Sequence, residues 1–457
     1  MFEKADCREA EEFLRSNPEI HTIDLIVPDI NGIPRGKRID RDTLLKAYKQ
    51  GVSLPVSIFG MDITGDTSDA TGLGFDEGDR DLLCWPIPDT LKPTTWHHKP
   101  MAQVMIGMLN DDGTTFYADP RHVLARVQER FKAMKLTPVV AVELEFYLID
   151  KERTVDRKPQ TPFSPATGER LKTTQVYGLT ELDDFANFIE DVQRAADLQD
   201  IPADTAVSEF SPGQYEINLT HTPDALQACD DSVLLKRLIK GVALRHDMEA
   251  TFMAKPYQDK AGNGMHVHVS LIDENGNNVF SNPGEMIGSE LLRWAIGGLT
   301  MAMPESMAVF APNANSYRRF QPDAFVPLAP AWGYNNRTCA IRIPAGPEDG
   351  KRIEHRVSGA DANPYLVVAA ILAGMHYGIS NKVEPPPMTV GNAYTQHKPS
   401  VPRTWLHALT DFKKADILRE YFGNDFCHVY RTCKKEEFEK FNHQVTTLEY
   451  EWYLRTV

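Results

Sequence analysis

The sequence predicts an α+β protein of two domains, on three observations. At 457 residues the chain is longer than one ordinary core serves. Its first stretch, up to about residue 110, reads as a small and mostly β unit. Beyond it, helices with apolar faces alternate with short strands that carry acids, His or Arg on one side.

The bulk composition sets limits before any motif is read. Hydrophobic residues make up 42% and charged residues 25%, the balance of a soluble globular protein rather than a collagen, a disordered chain or a disulfide scaffold. Lys+Arg 49 against Asp+Glu 64 leaves −15. That charge disfavours generic binding of nucleic acid or of an anionic membrane. The cysteines, Cys7, Cys84, Cys229, Cys339, Cys427 and Cys433, are sparse and contain no CxxC pair, which suits reduced thiols and a cytoplasmic location. The N-terminus is charged from Glu3 onward and lacks an apolar signal core.

In chain order, residues 22–39 predict a hairpin turning at Asn31-Gly32. A Pro-rich run follows at 85–93. Asp119-Pro120 reads as N-cap and first helical residue, and Val123, Leu124, Val127, Phe131 and Met134 continue at helical spacing. Leu235, Leu238, Ile239 and Val242 mark a second amphipathic helix. Residues 364–379 are the most apolar stretch; they are too short to span a bilayer and contain His376, so they predict a buried helix. Residues 151–173 and 384–404 are polar, with several prolines, and predict surface loops.

Five segments carry the chemistry. In 139–149, Val142, Leu144, Phe146 and Leu148 alternate with Glu143, Glu145 and Tyr147. Strand geometry puts the two glutamates on one face, roughly 7 Å apart. In 209–219, Glu216 and Asn218 alternate with Ile217 and Leu219, while Glu209 precedes a Pro-Gly turn. In 265–270, His266, His268 and Ser270 share one face, behind the tight loop at 261–264. Residues 337–344 contribute Arg337 and Arg342, and 353–357 put Glu354 and Arg356 on one face. Each segment alone fits a solvated face or a surface ion pair. Together they offer five carboxylates, one or two imidazoles and several arginines. A mainly oxygen donor set suits Mg²⁺ or Mn²⁺. Arginines beside such ions suit phosphate, as phosphoryl transfer requires. No P-loop, kinase-type glycine loop or GxGxxG is present.

The same segments, in this order, resemble the glutamine synthetase family: ELEFYLID, EFSPGQYEI, KPYQDKAGNGMHVHVS, NSYRRF…NNRTCAIRIP and RIEHRVSGADANPY. The resemblance implies an N-terminal β-grasp domain, placed at 18–112, and a catalytic domain at 117–457 with a curved antiparallel sheet and flanking helices. It implies a homo-oligomer, a dodecamer of two hexameric rings, whose sites lie between neighbouring subunits. It implies two divalent ions per site, Mg²⁺ or Mn²⁺, with ATP and glutamate as substrates and a γ-glutamyl phosphate intermediate. By motif position, Glu145, Glu209 and Glu216 resemble the ligands of one ion, and Glu143, His266 and Glu354 those of the other. His268, Ser270, Arg337 and Arg352 fall at ATP positions. Arg342 falls where the transferring phosphoryl group is stabilised. Arg319, Arg356 and the Gly262 backbone fall at glutamate positions, and Arg319 is also taken as catalytic.

The chain departs from the ammonia-using members where the amine binds. Leu54 falls nearest the aspartate of their N-terminal loop, although Asp62 is close. In the flap after Arg319, Phe325 stands where they carry a glutamate, and Ala261 replaces an Asn. Losing two acids and gaining apolar lining points to an alkyl-amine acceptor, polyamines such as putrescine or spermidine first. The other readings are an isopropylamine or ethanolamine ligase, an ordinary glutamine synthetase, or a non-catalytic member. The last conflicts with six filled metal positions. Tyr394 reads as a plain loop tyrosine rather than the modified tyrosine of some bacterial members.

Overall fold

Two sheets carry the fold in the computed structural model, which describes residues 2–322 and 324–457. Asp323, in the flap segment, lies outside the described residues. The first sheet belongs to the N-terminal part. After α1 (Cys7–Ser16), capped by Asp6, come β1 (Thr22–Pro28), β2 (Pro34–Asp40), α2 (Leu44–Gln50), β3 (Val52–Pro55), β4 (Asp81–Pro86), β5 (Lys92–Thr94) and β6 (Met101–Leu109). The order is β2-β1-β6-β4-β3, with β5 also pairing β6. β1 and β6 run parallel and the other pairs antiparallel.

The predicted hairpin forms, but with a longer turn than Asn31-Gly32 alone. The strands part at the Pro28–Pro34 pair. The buried Asp29 carboxylate organises the loop, accepting from Asn31 N–H at 2.8 Å, Ile33 N–H at 2.9 Å and Arg35 Nε at 2.9 Å. Gly32 supplies the positive φ, +74°, that the turn needs. The loop is also tied to the far end of the chain. Asn363 Nδ2 donates to the Asp29 carbonyl at 2.9 Å, and the buried Lys434 donates to Asn31 Oδ1 at 2.5 Å and to Glu437 at 3.0 Å.

The second sheet is built after α3 (Pro120–Ala133), whose cap Asp119 accepts from Arg121 N–H as the Asp-Pro signal predicts. Its parts are β7 (Thr137–Asp150), α4 (Leu179–Asp184), α5 (Ala186–Asp197), β8 (Ala203–Ser208), β9 (Gln214–Leu219), α6 (Ala225–Arg245), β10 (Met248–Thr251), β11 (Met265–Ile272), α7 (Glu290–Phe310), β12 (Trp332–Tyr334), β13 (Ile341–Ile343), β14 (Ile353–His355) and α8 (Pro364–Asn381). The order is β12-β13-β14-β11-β7-β9-β8, with β10 also pairing β7. Only β12 and β13 run parallel. A helical tail follows: α9 (Ala393–Gln396), α10 (Trp405–Lys413), α11 (Ile417–Phe422), α12 (Asn424–Asn442) and α13 (Thr447–Tyr453).

β7 positions everything else. Along one edge it pairs first with β11 and then with β10; along the other it pairs with β9. Val142, Leu144, Phe146 and Leu148 are fully buried on the face that packs on α3 and α6. Glu143 and Glu145 are left on the other face. α8 starts at its Asn363 cap and buries most of its length, as its apolar sequence predicts. No helix among the described residues is long and apolar enough to cross a membrane. The fourth and fifth segments make shorter strands than their patterns suggested, and Arg337 sits in the turn before β13.

Candidate active site

Register brings residues of all five segments into line. His266 pairs with Glu143, Glu145 with Glu216, His268 with Glu354, and Arg342 with Glu354. Glu209 joins from the turn between β8 and β9. Three groups of donor atoms result, each within 4.8 Å: Glu145, Glu209 and Glu216; Glu143, Glu216 and His266; and Glu143, His268 and Glu354. The first is the trio expected from sequence. The second trio, Glu143, His266 and Glu354, is not one of these groups, because Glu143 sits between both imidazoles. His266 Nδ1 lies 3.2 Å from Glu143 Oε2, and His268 Nε2 lies 2.8 Å from Oε1. Arg352 Nε donates to His268 Nδ1 at 3.1 Å. The proton of a neutral His268 is then on Nε2, donating to Glu143. His268 thus orients Glu143 and is already committed at both nitrogens. Three carboxylates, or two carboxylates with an imidazole, fit a hard divalent cation.

The charge distribution agrees with that fit. Burial, then the charges of Glu143, Glu145 and Glu209, push the Glu216 carboxyl up to about 9. Burial, then Glu145, pushes Glu209 up to about 7. Burial also works to raise Glu143, but hydrogen bonds from His266 and His268 outweigh it and hold it well below the carboxylate range. Glu354 is likewise brought down to about 2 against its burial, chiefly by Arg356, with the two imidazoles and Arg342 behind it. Arg342 Nη1 donates to Glu354 Oε2 at 2.6 Å, and Arg356 Nη1 donates to the other oxygen.

Anion-binding capacity surrounds these acids. The Nε–H groups of Arg319, Arg342 and Arg356 are buried with no hydrogen-bond partner among the described residues. Orphaned donors of this kind cost about 1–3 kcal/mol each until an acceptor arrives. Arg319, on the turn at Ser316–Arg319, lies against Gly262, where a Cβ would meet Arg319 Cγ at 2.6 Å. The next glycine, Gly264, donates its N–H to Glu145 Oε2 at 2.7 Å. The two residues expected at the glutamate end therefore touch. Ser270 shares the face of His266 and His268, further along β11 and opposite Val139. Arg337 is exposed; its Nη1 donates to Tyr177 Oη at 3.3 Å, and it lines a cavity of about 630 Å³ with Tyr334, Thr338, Thr389, Gly391 and Asn392.

Leu54 does not join the site within this chain. It is only 4% exposed and faces the first sheet's core, in register with Leu82. The exposed side chain beside it is Ser53. Asp62 is buried as well and bonds Lys440. Phe325 does lie at the site. It is 48% exposed and stacks on Phe210, with ring centroids 5.8 Å apart and planes at 30°. Phe210 follows Glu209 directly. Sequence reading missed Phe210, Tyr177 and Asn335, which accepts from Arg342 Nη2 at 3.0 Å. An aromatic flanking a candidate ligand was the one available signal.

Residues 117–453 match the family model described as glutamine synthetase, catalytic domain. The gamma-glutamylputrescine synthetase PuuA of Escherichia coli strain K12 is 44% identical over 448 residues, covering 98% of this chain and 94% of that one. A glutamate–isopropylamine ligase of a Pseudomonas species is 33% identical, covering 95% of each chain. A solved structure of ligand-free GmaS superimposes with a TM-score of 0.83 at 26% identity, covering 97% of this chain and 98% of that one.

Proposed function

From the premise that the chain belongs to the glutamine synthetase family and is an ATP-dependent glutamate–amine ligase, we propose that its acceptor is a polyamine, putrescine first. The observation that carries this reading is the exposed Phe210–Phe325 stack beside Glu209, at the place where ammonia users carry an acid. Covering a methylene contributes about 0.8 kcal/mol, so the four of putrescine gain about 3 kcal/mol against such a wall. Ammonia has nothing to place there. The 44% identity to a gamma-glutamylputrescine synthetase supports the same choice.

On this reading the γ-carboxylate of glutamate takes the γ-phosphoryl group of ATP, and the amine then displaces phosphate. Arg319, the Gly262 backbone and Arg356 bind glutamate, and the orphaned Nε–H groups await its carboxylates. Arg342 offsets charge on the transferring phosphoryl group. Arg337, Arg352 and Ser270 serve ATP, whose base the cavity beside Arg337 has room for, while His268, expected there by motif position, holds Arg352 and Glu143 in place. Glu145, Glu209 and Glu216 would hold one Mg²⁺ or Mn²⁺, and Glu143, His266 and Glu354 the other, the ions supplying charge neutralisation at the phosphates. Phe325 and Phe210 line the acceptor side; the neighbouring subunit supplies the β3 strand. The division at 18–112 and 117–457 follows the two sheets. Self-association, which the family resemblance puts at a dodecamer, is supported by the exposed apolar side chains of the C-terminal tail, and a cytoplasmic location by cysteines that are all free among the described residues.

The test is ADP release from ATP, Mg²⁺ and glutamate with ammonium, putrescine, cadaverine, spermidine, ethanolamine and isopropylamine. Putrescine or another polyamine gives the highest kcat/KM on this reading; preference for ammonium sinks it. In Phe325→Glu, kcat/KM for putrescine falls while use of ammonium holds or rises.

A further inference from the structure

One short piece of chain joins the cavity beside Arg337 to the flap around Phe325. Thr389, Gly391 and Asn392 line the cavity. Two residues further on, at the start of α9, Tyr394 Oη donates to the Val326 carbonyl at 3.0 Å. This helix turn is itself fixed to the cavity wall. Ala393 N–H donates to Thr338 Oγ1 at 3.0 Å, Thr338 Oγ1 donates to Asn336 Oδ1 at 2.6 Å, and Asn336 Nδ2 donates to the Gly391 carbonyl at 2.8 Å. Both Asn336 and Thr338 line the cavity as well.

At the other end, Phe325 has φ +52°, a backbone conformation that bulky L residues seldom adopt. Such a residue stays in place only where its surroundings fix it. Its ring is fixed by Phe210, and the carbonyl of the next residue, Val326, is held by Tyr394. Further along the flap, the Leu328 carbonyl accepts from Ser400 and Val401 N–H at 2.8 and 3.2 Å.

We infer that Tyr394 is a positioning residue for the acceptor: its hydroxyl holds the Phe325 flap to the wall of the nucleotide cavity, so that the aromatic shelf is set before the amine arrives. This rests on the reading of Phe325 as acceptor lining given above. On this inference Tyr394 acts through the Val326 carbonyl, to which its hydroxyl donates. Its removal therefore alters amine affinity and spares the binding of the other two substrates.

The experiment uses the full-length enzyme with Mg²⁺. Tyr394→Phe removes one oxygen and keeps the ring. The expected result is a five- to tenfold rise in KM for putrescine, with KM for ATP and for glutamate within twofold of wild type. In a Phe325→Ala background the same substitution changes the putrescine KM by less than twofold, because the group it positions is gone. The inference is overturned if Tyr394→Phe leaves the putrescine KM within twofold, if all three KM values rise together, or if the two substitutions multiply. Wild-type enzyme that uses only ammonium fails the acceptor reading and takes this inference with it. Wild-type enzyme that prefers alkyl amines while Tyr394→Phe is indifferent overturns the inference alone.

Discussion

Glu145 and Glu216 stand directly opposite each other across β7 and β9. Like charges at cross-strand positions destabilise a sheet, and these two share their surroundings with Glu209 and Glu143. Without a cation Glu216 keeps a proton up to about pH 9 that the unfolded chain has lost, which costs stability at neutral pH; with a cation the pair becomes a binding site. Glu216→Gln is expected to raise the melting temperature in EDTA, by about 0.2–1 kcal/mol of stability. The same variant is expected to lose the rise that Mg²⁺ gives wild type. Calorimetry with and without Mg²⁺ checks both, and a metal-independent melting temperature in wild type would count against the site.

Phe210 is half of the aromatic stack and carries no charge of its own. Phe210→Ala removes the ring on which Phe325 rests. The kcat/KM for putrescine is expected to fall about tenfold, the equivalent of about 1.4 kcal/mol. Ammonium turnover is expected to change less than twofold. Steady-state kinetics with both acceptors on one preparation decide it.

Asp231, on α6 and outside the acid cluster, supplies a further pH dependence. It is buried on α6, and its Oδ2 has no hydrogen-bond partner among the described residues. Burial, then the neighbouring Asp230, pushes its carboxyl up to about 8. Between the ordinary carboxylate range and about pH 8 the folded state holds a proton that the unfolded chain has lost. Stability therefore falls as pH rises through that window. Asp231→Asn has no proton to lose. Its advantage over wild type in thermal unfolding is expected to grow from pH 5 to pH 8, reaching about 1–3 kcal/mol. An advantage that stays flat with pH would show that Asp231 is not the titrating group.

The capping box at Thr446 and Glu449 starts α13, yet none of that helix's side chains is buried. Leu448, Trp452 and Leu454 are all about half exposed or more. A capped helix with an uncovered apolar face is expected to pack on another copy of the chain. Removing residues 446–457 is expected to shift the protein to smaller assemblies in light scattering. An unchanged mass would assign the tail no part in assembly.

Most of the acid cluster was legible because it depends on strand alternation, a local property. Glu143, Glu145 and Glu216 fall on the polar side of strands whose other faces are apolar, and that pattern is written in adjacent residues. The helices at Pro120–Ala133 and Pro364–Asn381 announce themselves through their Asp-Pro and Asn-Pro starts. What was not legible depends on distant partners. The β3 strand is four residues long, too short for alternation to say that Leu54 faces inward and Ser53 outward. Phe210 reads as a loop residue until Phe325 is brought onto it. His268 reads as a nucleotide contact, and only the positions of Arg352 and Glu143 show that both its nitrogens are engaged.

The loop at Asp29 and Asn31 has a consequence for how the molecule is made. Its buried polar groups are synthesised 334 and 403 residues before their partners Asn363 and Lys434. Until α12 is synthesised, Asn31 Oδ1 stays hydrated and the hairpin tip has no cover. The first sheet can form early, but its seam with the later helices closes only after α12 has been made. A nascent chain arrested before Lys434 would keep that tip open to protease, and extension past α12 would seal it.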